Sequence, residues 1–277
     1  MAAGVQLLDP DEPAPFEVAG REGRSPFLIV CDHAGRRLPR ALGRLGLSEA
    51  ELATHIAWDI GAGGVAQRLA EALDAFMIRQ PYSRLAIDCN RPLDAVDSIA
   101  TLSERISIPG NQQLPPGAAG ARAREIFEPY HREIRGELDR RHDAGRAAIL
   151  VTVHSFTPVF LDLARPWHVG ILYNRDARLA EPLLGLLRDA GDLVVGRNQP
   201  YAASELSDFA LVQHGEKRGV PCVEIEMRQD LIAGPEGQSA WAERLARLLP
   251  IAARGLRADE LVQPHPPQPG PTTPCKP

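Results

Sequence analysis

A chain of 277 residues, 44% of them hydrophobic, can bury a large core in one large domain or two modest ones. Its formal net charge of −5, with arginines scattered among acids, gives no electrostatic footprint for nucleic acid. No apolar run approaches the ~20 residues of a membrane span, and the first residues lack a basic-then-apolar leader pattern.

Residues 1–24 are rich in proline and acids and read as an irregular arm. Phe27–Cys31, FLIVC, is the first strand and runs straight into Asp32-His33-Ala34-Gly35. Ser48 and Glu51 have capping-box spacing and open a short helix over about 48–56, which Trp58-Asp59-Ile60-Gly61 breaks. Val65, Leu69, Ala70 and Leu73 recur with a helical period, predicting a helix over 64–75. Phe76–Arg79 and 85–89 read as two strands split by Pro81-Tyr82-Ser83. Residues 92–117 form a long loop of the kind that serves as a lid or binding loop. A long charged helix is predicted over 119–144, with Ile126, Phe127, Tyr130, Ile134 and Leu138 on its buried side.

The chain is organised around 148–153, an apolar run rich in β-branched residues that ends in His154-Ser155-Phe156 before Pro158. Beyond it come strands over 169–173, 192–195 and 221–227, and helices over 177–190, 207–218 and 239–257. The segment from Val262 onward, VQPHPPQPGPTTPCKP, has little to bury and reads as a disordered tail with an idle His265 and Cys275. Alternating strands and helices predict an α/β domain over 25–261 with a largely parallel or mixed sheet. The four cysteines form no C-x-x-C; Cys31, Cys89 and Cys222 sit in apolar strand-like contexts, which suits reduced thiols in a cytoplasmic protein.

Two buried strands deliver a histidine each, His33 and His154, where open α/β sheets place their ligand crevices. Either alone is as well explained by an imidazole bonding a loop. Together they make half of a metal site. Asp59 is either the cap of a helix beginning at Gly61 or the hard oxygen completing a His/His/carboxylate zinc set. On the last strand Glu224 and Glu226 alternate with Val223, Ile225 and Met227, so both carboxylates and Arg228 share a face. An edge strand with a solvated face would accept them; otherwise Glu226 stands as a general base with Arg228 tuning it.

Asn90 and Arg91 either cap the following loop or join Arg84 in carboxylate recognition. If the segment between Arg84 and Arg91 is straight, their backbones lie roughly 23 Å apart, and a bend at Asn90 must bring them together. His55, His131, His142 and His168 read as ordinary solvent histidines.

In order, Asp32-His33-Ala34-Gly35, Trp58-Asp59-Ile60-Gly61-Ala62, Ser83-Arg84-x-x-x-Asp88-x-Asn90-Arg91, Tyr130-His131, His154-Ser155-Phe156 and Ile225-Glu226-x-Arg228-x-Asp230-Leu231 resemble the N-formylglutamate amidohydrolase family. The resemblance spans residues from about 26 to 250. It implies a three-layer α/β sandwich with a mostly parallel or mixed central sheet, phosphorylase/hydrolase-like and of zinc-carboxypeptidase type. It also implies a metal-dependent amidohydrolase that releases formate from N-formylglutamate in histidine breakdown. The Asp-x-Asn-Arg segment looks like the Asp-Leu-Asn-Arg element of aspartoacylases and succinylglutamate desuccinylases, which binds the substrate's carboxylate.

Two positions depart from the pattern. Arg36 stands where zinc carboxypeptidases carry the Glu of His-x-x-Glu, which passes the second ligand to Asp59. Asp32-His33-Ala34-Gly35 replaces the usual Pro-His-Ser-Gly. The resemblance then implies zinc, or another divalent ion, on His33, Asp59 and His154, with Glu226 as the base and Glu224 as the alternative to it. It puts Arg84 at the oxyanion, Asn90 and Arg91 on the α-carboxylate, and Arg228 and His214 at further substrate contacts. The expected partner is a small acidic substrate, with no nucleic acid and no membrane, in a cytoplasmic monomer or small homo-oligomer. The alternatives are an amidase for another acyl group and a non-catalytic binder of an acidic small molecule. A degenerate binder is expected to lose the base or a ligand, and Glu226, His33 and His154 are all present. Two imidazoles on one ion must lie within ~8 Å of each other.

Overall fold

A computed structural model describes residues 6–261. The tail expected from Val262, with His265 and Cys275, lies outside the described residues. Among them, seven strands form one sheet: β1 Glu17–Ala19, β2 Phe27–Cys31, β3 Phe76–Arg79, β4 Ile149–Phe156, β5 Val169–Leu172, β6 Val195–Arg197 and β7 Cys222–Arg228. Their order across the sheet is β1-β3-β2-β4-β7-β5-β6. The middle four, β3, β2, β4 and β7, run parallel. At the edges β1 is antiparallel to β3, and β5, with β6 parallel to it, is antiparallel to β7. The sheet is therefore mixed with a parallel centre.

Parallel neighbours need long crossovers, and helices supply them. These are α1 Ala62–Leu73, α2 Glu128–Asp143 and α3 Ala180–Asp189; a fourth helix, α4 Pro235–Ala252, follows the last strand. One face of the sheet offers Ile29, Val151, Val153, Ile225 and Met227 to α1, α3 and α4, through Leu69, Leu183 and Leu245 among others. The other face offers Leu28, Val30, Leu150 and Cys222 to Ile126, Tyr130 and Ile134. Covered on both sides, the central strands need apolar residues at successive positions, which is why their sequences read as continuous runs. Truncating a fully buried side chain such as Leu69 to Ala should cost about 2–5 kcal/mol. The result is the expected three-layer sandwich.

Arg141, on α2, is among the largest fully buried side chains. Its guanidinium is held by Glu137 at 2.7 Å and donates to the carbonyls of Ser25 and Pro26 at 2.9 Å, just ahead of β2. A longer contact of 3.4 Å reaches Ala147, ahead of β4.

Several elements differ from the reading of the sequence. Segment 85–89 is not a strand. Ser83 Oγ accepts the Leu85 N–H at 3.1 Å and Asp88 Oδ1 accepts the Asn90 N–H at 2.8 Å. These local acceptors curl the backbone into turns although Leu85, Ala86 and Ile87 are buried as a strand would bury them. The arm is not wholly irregular, because Glu17–Ala19 pairs with β3 as an edge strand. The helix over 119–144 is continuous from Ala118 to Asp143 but widens to a π-type turn at Ala123–Phe127. The helix expected over 207–218 likewise contains a wide turn, Leu211–Gly215. The capping box is present, with Ser48 Oγ accepting Glu51 N–H at 3.2 Å and Glu51 accepting Ser48 N–H at 2.7 Å. Within the long loop and beyond β4, two hairpins form, Leu102–Ser103 with Ile106–Ser107 and Val159–Phe160 with Leu163–Ala164. No helix among the described residues is long and apolar enough to cross a membrane.

Candidate active site

Strand register places the polar side chains. Val30 of β2 pairs with Thr152 of β4, and Thr152 pairs with Glu224 of β7. Two residues further on the same face, His154 pairs with Glu226, and Asp32 follows the end of β2 beside it. β7 lies between β4 and β5, so the edge-strand account of its two glutamates does not hold: both are buried. β4 runs on to Phe156 because β7 keeps pairing with it to Arg228; His154 thus sits inside the strand rather than at its end.

His33, the residue after Asp32, accepts the Asp59 N–H on its carbonyl at 2.9 Å and so pins the 58–61 turn against β2. That turn enters α1 through Gly61, whose φ is +83°. A Cβ there would lie 2.1 Å from the Ile232 carbonyl oxygen, so only glycine fits. The helix has Gly61 at its N-cap and no side-chain cap. Asp59 is not a capping residue: its carboxylate meets His154 Nδ1 at 2.9 Å and the Ser155 N–H at 3.2 Å.

His33, Asp59 and His154 are all buried, and one ligand atom from each lies within 4.8 Å of the others. The two imidazole centroids are 5.1 Å apart, well inside the limit for sharing one ion. Both Nδ1 atoms face Asp59 Oδ2, His33 at 3.4 Å and His154 at 2.9 Å. A guanidinium nitrogen of Arg84 enters the same space and contacts both His33 Nδ1 and Asp59 Oδ1. Guanidinium can only donate, so His33 Nδ1 presents its lone pair and the ring proton sits on Nε2, given to Asp88 Oδ1 at 2.7 Å. The far nitrogen of His154 lies 3.3 Å from Asp32 Oδ2 and 3.8 Å from Glu224 Oε2. Carboxylates behind both imidazoles are what orients metal-binding histidines. Two nitrogens and one oxygen converging in a buried space that already draws in a cation fit a divalent ion.

The carboxyl groups divide sharply. Burial disfavours ionised Asp59, but Arg84 and His33 outweigh it and hold its pKa well below the ordinary range. Asp88 is likewise held low against burial, chiefly by His33. Burial pushes Glu226 up to about 7, with His154 and Arg84 opposing and Asp59 and Asp208 reinforcing. Burial and the neighbouring Asp208 raise Glu224 well above its ordinary value. Glu224 lies deeper, accepting the Thr152 hydroxyl at 3.1 Å. Glu226 Oε2 is buried with no hydrogen-bond partner. One carboxylate fixed as an anion and another poised near neutrality, on either side of His154, is a division suited to acid–base work.

The other candidates fall as follows. Arg84 joins the triad. Arg91 donates from Nε to Asp97 at 2.9 Å and from Nη1 to the Ser207 carbonyl. Asn90 accepts the Ala210 N–H on its side chain at 3.1 Å, so the pair ties the 204–210 loop to the curled 83–91 segment. Arg228 pairs with Asp230 at 2.8 Å, beyond the carboxylate row. His214 is buried 2.9 Å from His131 Nδ1, whose Nε2 meets the Cys89 carbonyl at 2.8 Å; it is not brought to the triad. His131 is correspondingly no solvent histidine, being packed against Phe127 and Phe209 at 4.3 and 4.6 Å. Burial lowers its pKa to about 4 and that of His214 well below normal.

Sequence reasoning missed Asp32 and Asp88 as supports of the histidines. The signal available was an acid directly before His33 and another opening the Asp-x-Asn-Arg segment. The hairpins at the rim were also missed. Glu104 accepts the Leu161 N–H at 2.9 Å and Arg105 pairs with Asp162 at 2.7 Å, joining one hairpin to the other.

Residues 25–233 match the family profile described as N-formylglutamate amidohydrolase. The N-formylglutamate deformylase of Pseudomonas putida is 30% identical over 209 residues, which cover 72% of this chain and 73% of that protein. A solved gene product of Agrobacterium tumefaciens superposes with a TM-score of 0.86 at 36% identity, over 89% of this chain and 98% of the other. The crystal structure of N-formylglutamate amidohydrolase from Ralstonia eutropha JMP134 shares the fold, with a TM-score of 0.64 at 20% identity over 88% of this chain and 98% of its own.

Proposed function

The chain belongs to the N-formylglutamate amidohydrolase family, hydrolases of carbon–nitrogen amide bonds, and we propose that it splits N-formyl-L-glutamate into formate and glutamate with the help of a divalent ion. One observation carries this reading: His33, Asp59 and His154 converge within 4.8 Å, with Glu226 paired across the strands from His154. His33, Asp59 and His154 would hold the ion, zinc by the donor set, which would supply Lewis-acid polarisation of the formyl group and a lowered pKa for water.

The chain's own residues do the rest. Glu226, with a pKa of about 7, takes the proton of the attacking water and returns it to the amide nitrogen as the C–N bond breaks. Arg84, already drawn to the triad, adds positive charge where the oxyanion develops. Asp97 and Ser207 hold Nε and Nη1 of Arg91, which leaves its Nη2 to receive the substrate's α-carboxylate beside Asn90. Asp88 keeps His33 in the tautomer that offers Nδ1. Arg228 and His214 are each engaged by a protein partner, Asp230 and His131, and take no substrate contact in this reading. Cys31, Cys89 and Cys222 are free and buried, which suits a reducing, cytoplasmic setting.

Glu226→Gln tests this reading. It keeps the shape and removes the base, so turnover of N-formylglutamate should fall at least ~10²-fold while metal content, read by mass spectrometry, stays at one ion per chain. Retained turnover would move the base to Glu224. Loss of the metal would assign Glu226 a structural part instead.

A further inference from the structure

We propose that Arg165 is the specificity-determining residue of this site, binding the anionic side chain of the acyl amino acid. The inference rests on the N-formylglutamate reading and deepens it.

The position follows from β4. His154 and Phe156 lie two residues apart on one strand, hence on the same face, with Phe156 about 7 Å further toward the mouth. The guanidinium carbon of Arg165 lies 6.0 Å from the Phe156 ring centroid. Phe160, on the hairpin just before it, and Tyr201, on the opposite loop, flank the same guanidinium at 4.6 and 4.7 Å. Nη1 donates to the Tyr201 hydroxyl at 2.8 Å, and the Arg165 N–H closes the hairpin onto the Pro158 carbonyl at 2.8 Å. The Tyr201 phenol lies within electrostatic reach of both Glu226 and Arg84. Arg165 therefore lies beside the end of the His154 strand, joined through Tyr201 to the surroundings of the base and the oxyanion arginine.

Its partners distinguish it from the other arginines of the site. Arg84 is paired with Asp59, Arg91 with Asp97 and Arg228 with Asp230. Arg165 meets no carboxylate among the described residues. Aromatic faces fix the plane of a guanidinium without cancelling its charge, and Nε and Nη2 remain as a fork whose geometry matches a carboxylate. A substrate with two carboxylates needs a second cation once Arg91 has taken the first. Arg165 provides it, oriented in advance.

The test compares N-formylglutamate with N-formylglutamine, equal in shape but neutral at the side chain. In the zinc-loaded full chain, Arg165→Gln should lower kcat/KM for N-formylglutamate about 10- to 100-fold, mainly through KM. N-formylglutamine should change less than about threefold, so the preference between the two collapses. Arg165→Lys, which keeps the charge but loses the planar stacking and the fork, should fall between. Titration calorimetry of both compounds on Glu226→Gln, with and without Arg165→Gln, should give the same contrast without turnover. Equal losses for both compounds would reduce Arg165 to packing and overturn the proposal, as would an unchanged preference. If the parent chain hydrolyses neither compound yet binds N-formylglutamate through Arg165, the catalytic reading fails and the anion site stands. If it binds neither, the anion site fails as well.

Discussion

Asp59 and Glu226 carry the same functional group into opposite regimes, and burial is common to both. What separates them is the company each keeps. Arg84 and the imidazoles make ionisation of Asp59 favourable, whereas Glu226 Oε2 has no donor. The sign of the pH effect follows. Glu226 in the folded chain titrates at about 7 against an ordinary 4.5, so the stability its neutral form contributes is complete below 4.5 and is lost as pH rises through 7. In metal-stripped protein, Glu226→Gln should match the parent at pH 4.5 and exceed it at pH 8 by on the order of 3 kcal/mol in urea unfolding. A difference that ignores pH would show a carboxyl that ionises freely. Asp88 offers a second test at this scale. Asp88→Asn keeps the turn but weakens the acceptor behind His33, and chelator competition should show zinc affinity lower by about 10-fold or more.

Among the elements, the ones legible in the sequence were those buried on both faces. FLIVC and the run before His154 can be little else than central strands. His33, Asp59, His154 and Glu226 stood out because those strands and one tight turn deliver them. Segment 85–89 has a similar apolar pattern and misled, since Ser83 and Asp88 capture backbone N–H groups that a ladder would use. That competition is invisible to hydrophobic periodicity, and with it fell the straight separation of Arg84 and Arg91. The His131–His214 pair and the aromatic cradle of Arg165 join segments far apart in the chain, so no local pattern announces them. The 58–61 turn shows how narrow the tolerance of a connecting element is. Gly61→Ala would force a Cβ against the Ile232 carbonyl at positive φ, lowering stability by about 2 kcal/mol or more in urea unfolding and displacing Asp59 from the triad.

At the scale of the whole molecule, the sheet is closed off on one side by only three residues, Glu17–Ala19, laid antiparallel on β3. Glu125 holds the start of this segment by accepting the Leu7 and Leu8 N–H groups at 2.9 and 2.8 Å. Removing residues 1–19 would bare the edge of β3 and the apolar surface under Leu7. The shortened chain should self-associate, seen as a rise in mass by light scattering that grows with concentration.

The grip of Arg141 reaches further than its own neighbourhood. It clasps the chain where β2 and β4 begin, and the five residues of β2 plus Asp32, about 20 Å, separate that point from His33. Should either strand slip by one residue, every side chain on it would change faces, and Asp32 and His154 would no longer look into the same cleft. A random library sorted only by hydrolysis would then return Arg141 beside the ligands themselves. Intolerance to substitution in this enzyme is set by alignment as much as by proximity to the bond being cut.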